Sequence, residues 1–225
     1  MTWFGNFYRS AIGKKAVMAV TGLILFGWIF LHMVGNLKLY MGPEHLNEYA
    51  HWLRALGTPA MPETAALWIT RIFLLVCVVF HIHSAWALTV MNREARPVGY
   101  RERQYVKGTY AARTMRWGGV IILLFIIYHL LHLTTGDAHR NFIKDDVYHN
   151  VVSGFQVWWT AAIYIIANLA LGLHLYHGVW SMFSSVGVTH ARFDNWRRTF
   201  ATVFAVLITA ANISFPLAVL TGFVR

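Results

Sequence analysis

The sequence predicts an all-α fold, an integral membrane helix bundle of five transmembrane helices with the N-terminus inside and the C-terminus outside. Three observations predict it. Five apolar runs lie along the chain, each near or above the ~20 residues that cross a hydrocarbon core at about 1.5 Å per residue. Only 12% of the 225 residues are charged, against 57% hydrophobic, where a soluble domain carries roughly 25% charged residues. The net charge of +10 sits in the connections between the runs, which is a topology signal.

The elements follow in order. An amphipathic start, Met1 to Lys15, precedes runs at Ala16–Tyr40, Ala66–Met91, Trp117–Leu133, Phe155–Ser184 and Phe200–Phe223. The third is the shortest and is expected to extend at one end. The first connection carries Pro43, Gly57, Pro59 and Pro62, yet Glu44–Leu56 reads as a short surface helix. With no internal repeat or low-complexity segment, residues 1–225 read as a single domain. Orientation follows from the basic residues. With the N-terminus inside, the inner segments hold Arg9, Lys14, Lys15, Arg93, Arg96, Arg101, Arg103, Lys107, Arg113, Arg116, Arg192, Arg197 and Arg198, thirteen of the 19 Lys and Arg. The excess of positive charge marks the inner side of a multi-pass protein.

Composition also excludes. The single cysteine, Cys77, lies inside an apolar run and rules out a multi-cysteine iron–sulfur or zinc site and an internal disulfide framework. No cleavable signal peptide is expected, because the first apolar run is too long and lacks a small-residue cleavage site behind it. Nucleic acid is not expected as a partner, since the basic charge marks topology. No GxGxxG fingerprint of a dinucleotide site occurs.

Histidines carry the chemistry. Polar groups inside apolar spans are costly and mark function. The first four runs hold His32; His81 and His83; His129 and His132; His174 and His177, and the fifth holds none. Neutral imidazoles from facing helices are the usual axial ligands of a b-type haem in a bundle core. Depth sets the pairing. Odd helices run outward and even helices inward, so His32 and His129 fall in the outer half, whereas His83 and His174 fall in the inner half. One diagonal pair at each depth holds one haem, giving two haems stacked across the membrane as a wire for electrons. Gly22, Gly35, Gly118, Gly119, Gly172 and Gly178 lie near these histidines; glycine there admits another helix or a flat ligand, and equally serves ordinary helix packing. Two residues apart on a helix, His81 and His83 point to nearly opposite faces, and position alone leaves the choice between them open. His129 with His132, and His174 with His177, each share a face.

Several stretches resemble a known family. Ser10-Ala-Ile-Gly-Lys-Lys-Ala-Val-Met-Ala-Val-Thr-Gly22, Leu31-His32-Met-Val-Gly-Asn36, His83-Ser-Ala-Trp-Ala-Leu, Arg116 with Tyr128-His129-Leu-Leu, and Leu173-His174-Leu-Tyr-His-Gly-Val-Trp-Ser181 resemble the cytochrome b558 membrane-anchor subunit of succinate dehydrogenases and fumarate reductases. The resemblance covers nearly the whole chain. It implies five spans, two haems b, and axial ligands at His32, His83, His129 and His174; for His83 over His81 the resemblance does most of the work. It further implies a role in complex II beside a flavoprotein subunit bearing FAD and an iron–sulfur subunit. Menaquinone is implied as the quinone and the cell's inner (cytoplasmic) membrane as the location, with assembly into a higher oligomer left open. The chain itself has no succinate-oxidising site.

Contacts for a quinone or a haem propionate are expected among Ser10, Lys14 and Arg116 with Trp117 on the inner side, and Lys38, His45, Glu48, His51 and Arg71 on the outer side, with His132 and His177 as spare histidines. Each is equally a membrane-edge anchor. The basic stretch Arg93 to Arg116 reads either as a dock for the iron–sulfur subunit or as topology alone. Other readings stand beside this one: the anchor of a quinol:fumarate reductase, the haem b subunit of another membrane dehydrogenase or hydrogenase, and a haem-free anchor with packing histidines. A transporter fits less well, because Pro216 is the only proline deep in an apolar run and transporters more often show helix breaks in related halves.

Overall fold

The computed structural model describes residues 3–95, 110–185, 187, 188 and 190–225. Eight α-helices are seen: α1 (Trp3–Arg9), α2 (Ala11–Asn36), α3 (Pro43–Ala55), α4 (Ala65–Glu94), α5 (Tyr110–Leu130), α6 (Val147–Phe155), α7 (Trp158–Ser185) and α8 (Asp194–Leu220). No strand occurs among the described residues. Five helices are long and apolar enough to cross a membrane, with mean hydropathies of 2.1, 2.2, 1.9, 1.4 and 2.2 in chain order. Of the basic stretch 93–116, residues 96–109 lie outside the described residues.

Local chemistry explains the ends. Ser10 caps α2, its hydroxyl accepting from the Gly13 N–H at 3.0 Å and donating to the Phe7 carbonyl at 2.7 Å. Such a cap satisfies one of the first-turn N–H groups that otherwise have no partner. A Cβ on Gly13 would run into the Phe7 carbonyl, so glycine lets α1 fold back on the start of α2. α2 continues as a tighter 3-10 turn over Leu37–Met41. Gly42 then turns the chain at φ 98° and Pro43 opens α3, a position where its missing N–H costs nothing. The third span extends at both ends: it begins at Tyr110 and runs on as a wide π turn over Leu131–Thr135. The fourth run divides near Gln156 into the short α6 and the long α7, and α7 is the part long enough to span. α8 starts at Asp194, earlier than its apolar residues, because Arg197 is buried there. The Arg197 guanidinium donates to Asp194 at 2.6 Å, to Ser184 at 3.0 Å and to the Val188 carbonyl at 2.5 Å.

α2 packs along α4, α5 along α7, and α8 along α7, while α2 also leans on α7. The first four spans therefore surround a common axis and α8 braces the bundle from outside. A cluster of Met33, Leu175, Ala205 and Ile208 fills the α2–α7–α8 seam. A second cluster, with Leu39, Leu46, Val152, Phe155, Tyr164 and Phe215 among its members, roofs the bundle at the His32 end. Two short helices, α3 and α6, make that roof. They are tied by Asn47, whose amide donates to Asp146 at 3.0 Å and whose carbonyl accepts from the Tyr148 N–H at 3.0 Å, and by the Arg54–Asp145 ion pair at 3.1 Å. The carboxyl of Asp146, which caps α6, is held below the usual carboxylate range, first by the His149 backbone N–H and then by the Asn47 amide.

Candidate functional site

Two histidine pairs lie one above the other inside the bundle. In the first, His32 of α2 meets His129 of α5, with ring centres 5.8 Å apart and planes at 77°. Trp28 stacks on His32 from one turn back, at 6.0 Å. His129 is held from the other side by Tyr164 of α7, whose hydroxyl is 3.2 Å from its Nδ1. In the second pair, His81 of α4 meets His174 of α7, with ring centres 6.4 Å apart. A Cβ on Gly22 would lie 3.3 Å from the His81 ring, and one on Gly119 would lie 3.8 Å from the His174 ring. Glycines of α2 and α5 thus flank this pair, the close approach that small residues on membrane helices permit.

The two layers are well separated. Gly119 sits at the level of His174 and is ten positions before His129 on α5, which at 1.5 Å per residue puts the layers about 15 Å apart. α7 gives the same answer, because Tyr164 touches His129 ten positions before His174.

His83, the expected partner of His174, is not brought to it; His81 is. On a helix, two positions are about 200° apart, so only one of the two can look inward. His83 instead stacks on Tyr8 of α1 and its Nδ1 is 2.6 Å from the Tyr8 hydroxyl. Hydrogen bonding adds detail at His81. Thr21 spends its one hydroxyl proton on the Val17 carbonyl at 2.7 Å, so its oxygen, 3.3 Å from His81 Nδ1, accepts an N–H from that nitrogen. His81 Nε2 is then left as a lone-pair donor. At His83, Nδ1 and the Tyr8 hydroxyl are paired and either can be the donor. Sequence position holds no signal for this choice; the direction in which each ring leaves α4 makes it, with Thr21, next to Gly22 on α2, meeting the inward ring of His81.

The remaining expected residues fall in three places. Near the start of α2, the Ser10 hydroxyl is occupied by the helix cap. Lys14 is buried at 8% exposure with its ammonium 4.2 Å from the Tyr8 ring centre, and Arg116 is exposed on α5. At the opposite end, Lys38, His45 and Glu48 line a cavity of about 440 Å³ with Tyr49 and Trp52, while His51 is exposed outside its wall. Arg71 lies over the Trp68 ring at 5.1 Å. His132 is buried at 2% exposure. Its Nδ1 is 3.0 Å from the same Tyr164 hydroxyl, and its ring stacks on His139 at 4.7 Å. His177 is half-buried beside Trp180 at 5.9 Å. Tyr164, Thr21, Tyr8 and His139 were not visible as site residues: hydroxyl-bearing and loop side chains carry no period or spacing that marks them.

The donor set fits a b-type haem. Two imidazoles sharing one metal stand on opposite sides of it, and metal–imidazole bonds of about 2 Å put their ring centres about 6 Å apart. Both pairs have about this separation. Each pair offers two imidazoles, the number of protein ligands that a bis-histidine haem site uses.

Residues 89–213 match the family model described as succinate dehydrogenase/fumarate reductase transmembrane subunit. The matched stretch covers more than half of the chain and includes His129, Tyr164 and His174; it begins after His81 and His83. Comparisons with curated proteins and with solved structures returned no match.

Proposed function

The chain belongs to the succinate dehydrogenase/fumarate reductase transmembrane-subunit family, and from that premise we propose that it is the membrane-anchor cytochrome b subunit of a succinate:quinone oxidoreductase. Its task is to join soluble flavoprotein and iron–sulfur subunits to the membrane and to deliver their electrons to menaquinone. The observation that carries this reading is the pair of histidine couples, each joining diagonal helices, stacked about 15 Å apart along the bundle.

In this reading His32 and His129 hold one haem b and His81 and His174 hold the other, with His81 replacing His83 as the helix-α4 ligand. Each bound haem supplies a reversible one-electron site. The protein's part is positional. Thr21 and Tyr164 orient ligand rings, Gly22 and Gly119 leave room beside them, and apolar helices keep water from the axis. The N-terminus faces the cytoplasm of a multi-pass inner-membrane protein, and the Lys38–His45–Glu48 cavity is where quinone carbonyls and protons find hydrogen-bonding partners. Oxidation of succinate belongs to the soluble subunits; the family description covers fumarate reduction equally.

Haem quantification by the pyridine haemochrome method on the purified chain tests this. Wild type is expected to hold two haems b per chain, His81→Ala one, and His83→Ala two. A wild type without haem would end the electron-wire reading. One haem in His83→Ala with two in His81→Ala would restore His83 as the ligand.

A further inference from the structure

We propose that Tyr164 is a positioning residue for the His32–His129 haem, setting the protonation and the basicity of His129, with His132 as the group that sets Tyr164 in turn. The proposal deepens the reading above and rests on it.

The geometry leaves little choice. One phenol oxygen lies within hydrogen-bond distance of two imidazole nitrogens, His129 Nδ1 at 3.2 Å and His132 Nδ1 at 3.0 Å. A phenol has a single proton to donate, so it serves one ring as donor, and the other ring must offer its own N–H. Buried polar groups in such a cluster are costly to leave without partners, and His132 and Tyr164 are both buried, at 2% and 5% exposure. Two arrangements satisfy the cluster. If His129 binds iron through Nε2, that nitrogen carries no proton, so Nδ1 does. The chain then runs one way: His129 Nδ1–H to the Tyr164 oxygen, and Tyr164 O–H to His132 Nδ1. The opposite direction would place a proton on the nitrogen that faces the metal.

The far end of the chain is fixed as well. His132 stacks on His139, whose Nε2 donates to the Asn150 carbonyl at 2.9 Å and whose Nδ1 accepts the Asn141 N–H at 3.1 Å. Phe125 and Phe155 meet the Tyr164 ring edge-on at 4.9 and 4.8 Å, so the hydroxyl is aimed by packing as well as by its bonds. A metal-bound histidine that donates its second N–H is a stronger, more basic ligand, and losing that outer partner typically costs 10–100-fold in metal affinity. Stronger donation favours the oxidised, more positive iron. A tyrosine that is itself donating is a better acceptor, because chained hydrogen bonds polarise one another, so His132 adds to the effect. Among the described residues no tyrosine stands in this role at the His81–His174 pair; His81 has the Thr21 oxygen instead.

The test is a redox titration of the assembled, membrane-extracted complex carrying the full chain, following both haem bands. Tyr164→Phe keeps the ring and its packing and removes only the acceptor. The midpoint potential of one haem is expected to rise while the other stays where it is, or the first haem is lost by the 10–100-fold weaker binding while the second remains. His132→Gln keeps Tyr164 and is expected to raise the same midpoint by less, with both haems retained. If Tyr164→Phe fails to assemble, His132→Gln decides alone: movement of one haem supports the proposal, and an unmoved pair overturns it. Wild type with no haem defeats the underlying reading. Wild type with two haems and both variants unmoved in potential defeats this inference and leaves that reading standing.

Discussion

Replacing Gly154 by alanine sets two opposite effects against each other, and the structure decides which wins. In a helix, glycine to alanine ordinarily stabilises by roughly 0.5–1 kcal/mol, because the unfolded chain loses freedom. At Gly154, though, the added Cβ would lie 2.7 Å from His132 Cε1, 3.0 Å from its Nε2 and 3.1 Å from His139 Nε2. Both rings are pinned, His132 by Tyr164 and His139 by Asn150 and Asn141, so neither can retreat without breaking a buried hydrogen bond. Overpacking of this kind costs about 1–3 kcal/mol. The net expectation is a loss of about 1–2 kcal/mol, since the larger of the two terms is the clash. Gly118→Ala supplies the contrast, as its Cβ would meet only the Ala170 carbonyl at 3.9 Å and should gain up to about 1 kcal/mol. Unfolding of the detergent-purified variants, followed by tryptophan fluorescence, reads both. If Gly154→Ala were as stable as wild type or more so, the close seating of α6 on the His132–His139 stack would be wrong.

The roof and the α7–α8 seam can be tested in the same way. Asp146 has a depressed carboxyl, so its contribution to the α3–α6 roof is complete above the ordinary carboxylate value of about 4 and is lost as pH falls through its lower folded value; the stability gap between wild type and Asp146→Asn should therefore close as pH is lowered through that window, and a gap that widened would reverse the assignment. Between α7 and α8, Asn212 donates to Asn168 at 3.0 Å; interhelical bonds of this kind average about 0.6 kcal/mol and reach about 1.7, so a double-mutant cycle with leucine at both positions should return a coupling in that range, and no coupling would mean the bond is not made in the membrane.

Most of the fold was legible because the bilayer forces it: a run of apolar residues near ~20 long has few alternatives to a spanning helix. The ends were less so. α8 begins at Asp194 because one buried arginine finds three acceptors, and α6 separates from α7 near Gln156; hydropathy registers neither. In the candidate site, depth alone brought His32 to His129 and pointed to diagonal helices. At α4 depth left the choice open, because His81 and His83 lie at almost the same depth and differ only in direction; the resemblance pointed to His83, whereas it is His81 that meets His174. Tyr164 was hidden as well: its role comes from a hydroxyl placed between two rings, and a tyrosine in an apolar span looks like any other.

The diagonal pairing has a consequence for the order in which the chain can mature. The hairpin of α2 and α4 carries one histidine of each couple, and the hairpin of α5 and α7 carries the other. Neither couple exists in either half of the nascent chain. During synthesis, both must wait for the second hairpin to enter the bilayer: His129 completes the first couple, and only the emergence of α7 completes the second. A chain truncated after α4 therefore retains His32 and His81 on adjacent helices without a single finished pair.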